Sequence, residues 1–215
     1  MQNVNDIRQH LTQLKVDGDF VVDKTGQAMI EIIGATFKAN EPTIFGTVSE
    51  DYVSREIAWY ESMSRSVNDL EGCPAIWKQV ADSNGIINSN YGWCIWSEEN
   101  GYQYEHVFTE LSNNPESRRA EMIYTRPSMW KDYNHNGRSD FMCTDSVSYF
   151  IRNGALTAHV KMRSNDAVFG FKNDYAWQKH VLDMLADELN VKRGEIIWTA
   201  SSLHVYERHF HLVGA

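Results

Sequence analysis

Apolar residues recur at helical spacing at Ile7, Leu11 and Leu14, behind Asn5 and Asp6 as capping candidates, and predict an N-terminal helix. Residues 28–37, rich in β-branched side chains around Gly34, predict a strand. Over residues 50–64 the positions Val53, Ile57, Tyr60 and Met63 fall on one helical face, with Glu56 beside that stripe, where a carboxylate asks for a chemical reason. A helix is expected over 102–111, and a strand over 120–124, stopped before Pro127. Residues 146–151 and 156–162 flank Asn153-Gly154, whose tolerance of positive φ predicts a tight hairpin. Alternation then puts Leu156, Ala158, Val160 and Met162 on one face, and Thr157, His159, Lys161 and Arg163 on the other. Residues 174–189 read as a helix with Val181, Leu182, Leu185 and Leu189 inward, and 195–206 as a final strand.

Helices mixed with mostly antiparallel strands indicate an α+β fold, and the absence of linkers, repeats or low-complexity tracts suggests a single domain over residues 1–215. A net charge of -9 disfavours polymeric nucleic acid and anionic membrane, so any phosphate must be held by a local basic cluster, and a free mononucleotide fits better than DNA. Three cysteines, Cys73, Cys94 and Cys143, form an odd set without metal-ligand spacing, as expected of reduced thiols in a cytoplasm. The start lacks a charged-then-apolar leader and no apolar stretch reaches the roughly 18 residues of a membrane span, so neither export nor anchoring is expected. Aromatic residues are abundant (Trp 7, Tyr 10, Phe 9), which suits pockets for flat rings.

Chemistry concentrates in Met162-Arg-Ser-Asn-Asp-Ala-Val-Phe-Gly-Phe-Lys-Asn-Asp-Tyr-Ala-Trp-Gln, between a strand and a helix. Arg163 and Ser164 offer a fork of donors and a hydroxyl for a phosphate, while the Asp and Asn residues can read the edge of a heterocycle. Twenty residues upstream, Cys143 in Asp140-Phe-Met-Cys-Thr-Asp enters the preceding strand, so thiol and guanidinium are expected on neighbouring strands. A free thiol is only a few per cent ionised at neutral pH, and Arg163 is the cation expected to activate it.

The chain resembles the thymidylate synthase family, most closely its phage deoxycytidylate hydroxymethylase branch. The match rests on Phe20-Val-Val-Asp-Lys-Thr-Gly, Arg55-Glu-Ile-Ala-Trp-Tyr, Ile76-Trp with Ala81 and Gly85, Asn88-Ser-Asn-Tyr-Gly-Trp, Ser117-Arg-Arg, the Cys143 segment, the Arg163 run and Ser202-Leu-His-Val-Tyr. The resemblance implies a single domain with a mixed sheet flanked by helices, and a sheet-mediated homodimer. It makes Cys143 the nucleophile, with Glu56, Tyr91 and Asp174 also catalytic. Deoxycytidylate (dCMP) would be bound by Lys24, Arg163, Ser164, Asn165, Asp174, His204 and Tyr206, joined by Arg118 and Arg119 from the partner subunit. Trp77 and Asp166 would hold the cofactor, 5,10-methylenetetrahydrofolate.

Asp174 falls where uracil-using synthases carry Asn. A carboxylate accepts from the cytosine amino group, whereas uracil would leave polar groups unsatisfied at about 1–3 kcal/mol. The implied reaction adds a one-carbon unit to ring carbon 5 and then water, giving 5-hydroxymethyl-dCMP and tetrahydrofolate. A C5-methyltransferase acting on dCMP or dUMP, and a catalytically idle nucleotide-binding subunit, stand as alternatives. Thr144 takes the place of the usual His after the nucleophile, and the family's chains run on beyond the segment matching His209-Phe-His-Leu-Val with a tail that closes over folate.

No metal is expected. Asp132, Asn134, Asn136 and Gly137 copy the opening of a calcium loop, but its twelfth position is Cys143 rather than Glu. His204, His209 and His211 lack the further ligands of a zinc site, and strand alternation would put only the last two on one face. Cys73 and Cys94 are expected to be core residues.

Overall fold

A computed structural model describes residues 1–214. The elements, in chain order, begin with β1 (Gln2–Asn3), α1 (Val4–Asp17), β2 (Val21–Val22), β3 (Ala28–Lys38), α2 (Glu50–Glu61), α3 (Ala75–Val80) and α4 (Tyr91–Trp96). They continue with α5 (Gln103–Asn113), β4 (Glu121–Ile123), α6 (Met129–Asp132) and β5 (Thr144–Arg152). The last are β6 (Ala155–Met162), β7 (Asn165–Asp166), α7 (Gly170–Glu188) and β8 (Lys192–Tyr206). They fall into two compact units, one of Met1–Val48 with the chain from Phe150 onward, the other Ser49–Tyr149.

In the first unit β1, β3, β8 and β6 lie in that order, with β2 on β3 and β7 on β8. The sheet is mixed: β3 and β8 are antiparallel, while β6 and β7 run parallel to β8. Helix α1 packs on β3, and α7 on β6 and β8. Phe171 of α7 packs between strands, its ring 5.1 Å from Trp198 of β8 and 5.8 Å from Phe37 of β3. The expected alternation holds along β6, where Leu156, Ala158, Val160 and Met162 are buried. The hairpin turn has the positive φ that Asn153 (53°) and Gly154 (72°) accept.

Two helix starts differ from expectation. The cap of α1 is Asn3, in a reciprocal box with Asp6, so Asp6 is the box partner and Asn5 lies inside the helix. Helix α7 begins at Gly170, four residues before Asp174, and Asp174 is therefore interior rather than a cap. Gly34 does more than interrupt β3. At its φ of 71° the inward set changes from Ala35 and Phe37 to Ile30. On the paired β8 it changes from Ile196, Trp198 and Ala200 to Leu203 and Val205. That switch leaves Ser202, His204 and Tyr206 together on the opposite face.

The second unit is organised by aromatic rings. Tyr60 stacks on Trp59 (5.4 Å) and on Tyr91 (5.2 Å), and Tyr91 meets Tyr124 edge-on at 5.3 Å. Helix α4 reaches α2 this closely because its second residue is Gly92, where a Cβ would stand 1.8 Å from the Tyr60 carbonyl oxygen. Gly92→Ala is expected to cost about 1–3 kcal/mol, because backbone must move to admit the methyl. Urea denaturation should show a lowered midpoint with the slope preserved. In the same unit β4 pairs antiparallel with β5. No helix among the described residues is long and apolar enough to cross a membrane.

Candidate active site

Cys143 lies one residue before β5, between fully buried Met142 and Thr144, with its Sγ 3.8 Å from the Phe141 carbonyl oxygen. What holds it is a clasp the sequence did not reveal. Asp140, three residues upstream and buried, accepts from the Asn88 and Ser89 amides (2.6 and 2.8 Å) and from the Ser89 hydroxyl (2.6 Å). The Asn88 side chain donates to the Asp140 carbonyl oxygen at 2.9 Å. The segment carrying the thiol is thus bolted to residues 88–89, the turn before α4. From α4, Tyr91 accepts a hydrogen bond from Thr144 (2.9 Å), which seats the phenol beside the residue that follows Cys143.

Glu56, on α2, is 4 % exposed. Tyr52, one turn earlier, donates to its Oε1 at 2.5 Å, and the Trp77 indole donates to the same oxygen at 3.2 Å. Burial pushes the carboxyl up from 4.5 to about 6, against the lowering effect of those two bonds. Burial and the adjacent carboxylate push Tyr52 up in turn, so it stays a donor at neutral pH. A carboxyl poised near 6 can hold or release a proton under physiological conditions.

The folded state binds Glu56's proton more tightly, so its contribution is complete below pH 4.5 and is lost as pH rises through about 6, amounting to about 2 kcal/mol. Glu56→Gln should therefore be more stable than the parent at pH 7.5, with the gap closing toward pH 4.5. Thermal melts of both proteins across that range would show it.

Trp77 itself is part-exposed on α3, edge-on to Trp59 at 5.5 Å. Arg118 and Arg119 lie on the surface between α5 and β4. Glu110 accepts from Arg119 at 2.9 Å, leaving that side chain 78 % exposed. Cys94 is buried, its thiol pushed up to about 12 by burial, while Cys73 is only half-buried.

The remaining candidates belong to the first unit. Arg163 is exposed just beyond β6 and Ser164 follows it, half-buried. Strand β7 lies alongside Leu203 and His204 of β8. Asn165, buried, donates to Asp174 Oδ2 at 2.8 Å, and its own Oδ1 has no partner. The asparagine therefore helps to orient the carboxylate. Gly170 keeps this pair close, since a Cβ there would stand 3.2 Å from Asn165 Nδ2 and 3.6 Å from Asp174 Oδ2. Asp166 Oδ1 accepts from the Val168 amide at 2.7 Å, closing the turn into α7.

His204 is buried, with Nδ1 3.3 Å from the Ser202 hydroxyl, which in turn donates to Glu31. Burial holds the imidazole below its usual pKa despite Asp166 and Glu31 nearby, so the neutral form predominates at pH 7. Tyr206 meets it edge-on at 4.9 Å. Lys24 is exposed in the turn between β2 and β3. Asp132 is taken up by Arg126 (3.0 Å) and Ser128 (2.8 Å). His209 and His211 lie in a 3-10 segment, Glu207–Leu212, so strand alternation does not govern them.

Tyr52 and Asp140 were missed as functional partners. Tyr52 stands four residues before Glu56, a helical contact visible in the sequence, whereas the reach of Asp140 to residues 88–89 is long-range.

The chain belongs to the thymidylate synthase family, whose family model, described as "Thymidylate synthase", matches residues 7–215. Among solved structures it is similar to thermostable thymidylate synthase A from Bacillus subtilis, with a TM-score of 0.73 at 20% identity, covering 95% of this chain and 81% of the other. Among curated proteins it is 58% identical over 218 aligned residues to the deoxycytidylate 5-hydroxymethyltransferases of Enterobacteria phages T4 and T2, covering 98% of this chain and 89% of each relative.

Proposed function

We propose that this protein is a deoxycytidylate 5-hydroxymethyltransferase, converting dCMP and 5,10-methylenetetrahydrofolate to 5-hydroxymethyl-dCMP and tetrahydrofolate. The observation that carries the choice of base is Asp174. It is an interior residue of α7 rather than a cap, and it is oriented by buried Asn165 in a chain so similar to enzymes named for deoxycytidylate. Its carboxylate accepts from the cytosine amino group.

In this reading the Cys143 thiolate attacks ring carbon 6, which makes carbon 5 nucleophilic. Arg163 and Ser164 hold the phosphate, with Lys24 and, from the partner protomer of a homodimer, Arg118 and Arg119. The exposure of both arginines supports that reach. His204 and Tyr206 take the sugar hydroxyl. Glu56 moves protons, its pKa of about 6 suiting both directions, and with Asp174 it orients the water that completes the carbon-5 substituent. Tyr91 keeps the Cys143 segment in place through Thr144.

The donor set fits the folate. Trp77 offers a part-exposed flat face, and Asp166 a carboxylate whose turn engages Oδ1. When bound, the cofactor supplies the one-carbon unit. The match across 7–215 supports one family domain, and we place the enzyme in the cytoplasm of a phage-infected cell.

Tritium release from carbon 5 of labelled dCMP tests the assignment. Release dependent on methylenetetrahydrofolate is expected, and its absence at saturating folate would instead mark a nucleotide-binding subunit without turnover.

A further inference from the structure

A pocket of about 480 Å³ in the Ser49–Tyr149 unit is walled by Arg65, Arg126 and Arg138, with Trp93, Asn88 and His135. Asp132 pairs with Arg126 at 3.0 Å, and Asp82 with Arg138 at 2.9 Å. Arg65 has no such partner. Its bonds go to neutral oxygens, the Ile87 carbonyl (2.8 Å) and Asn88 Oδ1 (3.0 Å), and no carboxylate among the described residues lies within ion-pair distance. It is half-buried, and burial and the charges of Arg138 and Arg126 all disfavour its protonated form, with Glu99 at the rim opposing them.

Donors are in surplus as well. Arg126 Nη1 and Arg138 Nε are buried without an acceptor, and Arg138 is 8 % exposed. The guanidinium of Arg65 lies 4.4 Å from the Trp93 ring centroid and that of Arg126 5.4 Å, so the cluster is stacked in place rather than splayed into solvent. In a chain of net charge -9, three guanidiniums held together with only two of them ion-paired are costly unless an anion joins them.

We propose that this pocket binds a phosphate group. Guanidinium forks match phosphate oxygens bidentately, and the volume leaves room for an ester beyond the phosphate itself. None of the residues assigned to the dCMP phosphate, Lys24, Arg118, Arg119, Arg163 or Ser164, lines it. The site therefore stands independently of the proposed reaction.

Calorimetric titration of Arg163→Gln enzyme, whose substrate-phosphate grip is weakened, tests this with inorganic pyrophosphate and a purine nucleoside triphosphate in turn. One site per chain is expected for at least one of the two, weakened about tenfold or more when Arg65→Gln is added. If neither anion binds the Arg163→Gln enzyme, or if Arg65→Gln leaves the affinity unchanged, the proposal is wrong. Glu99→Gln, a rim substitution that does not endanger folding, should tighten binding severalfold, and unchanged or weaker binding would count equally against it.

Discussion

Cys143→Ser is expected to lower turnover by at least about 10³-fold while leaving dCMP affinity within a few-fold of the parent. A serine hydroxyl is far less ionised than a thiol at neutral pH, so the proposed attack on ring carbon 6 loses its nucleophile while the groups proposed to hold phosphate, sugar and base remain. The clasp between Asp140 and residues 88–89 does not involve the sulfur, so the segment should keep its position. Equilibrium binding of dCMP measured beside tritium release separates the two effects. Equal loss of both would show that the substitution disturbed the clasp.

Asp174→Asn is expected to shift the ratio of kcat/KM for dCMP over dUMP by about 10²–10⁴-fold toward dUMP. An amide donates where the carboxylate accepts, which suits the oxygen at carbon 4 of uracil and leaves the cytosine amino group facing a donor. The change can be read as recognition because Asp174 is not a cap: the helix starts at Gly170 without a side-chain cap, so α7 should survive it. A control is available in thermal stability, which should change by less than the selectivity. Loss of both activities, with dUMP never gaining, would mean that Asp174 serves the chemistry rather than the choice of base.

Local signals in the sequence were reliable where they concerned one element at a time. The Asn153-Gly154 hairpin and the alternation of β6 follow from spacing and turn chemistry, and the structure has them, whereas the α2 stripe differs: Val53 and Tyr60 are buried together with Glu56 and Trp59, Ile57 is only half-buried, and Met63 is exposed beyond the helix. Helix ends were less legible. The pattern of apolar residues in α7 becomes regular only after Asp174, so spacing does not announce the preceding turn, Gly170 to Asn173, although Phe171 is a core residue.

The polar partners were hidden for another reason. Glu56 stood out as a misplaced carboxylate, but its bonds to Tyr52 and Trp77 and its raised pKa depend on burial, which no spacing reports. The switch of inward faces at Gly34 of β3 and on the paired stretch of β8 leaves Ser202, His204 and Tyr206 opposite Leu203 and Val205, and simple alternation along β8 does not announce it. The arginine pocket draws on residues 65 to 138, and its existence depends on tertiary packing alone.

dCMP is expected to acquire a hydroxymethyl group. Mass spectrometry of the nucleotide recovered after incubation with methylenetetrahydrofolate tests it most directly. A gain of one carbon, two hydrogens and one oxygen is predicted. A gain of one carbon and two hydrogens without oxygen, as in a methyl transfer, would contradict it.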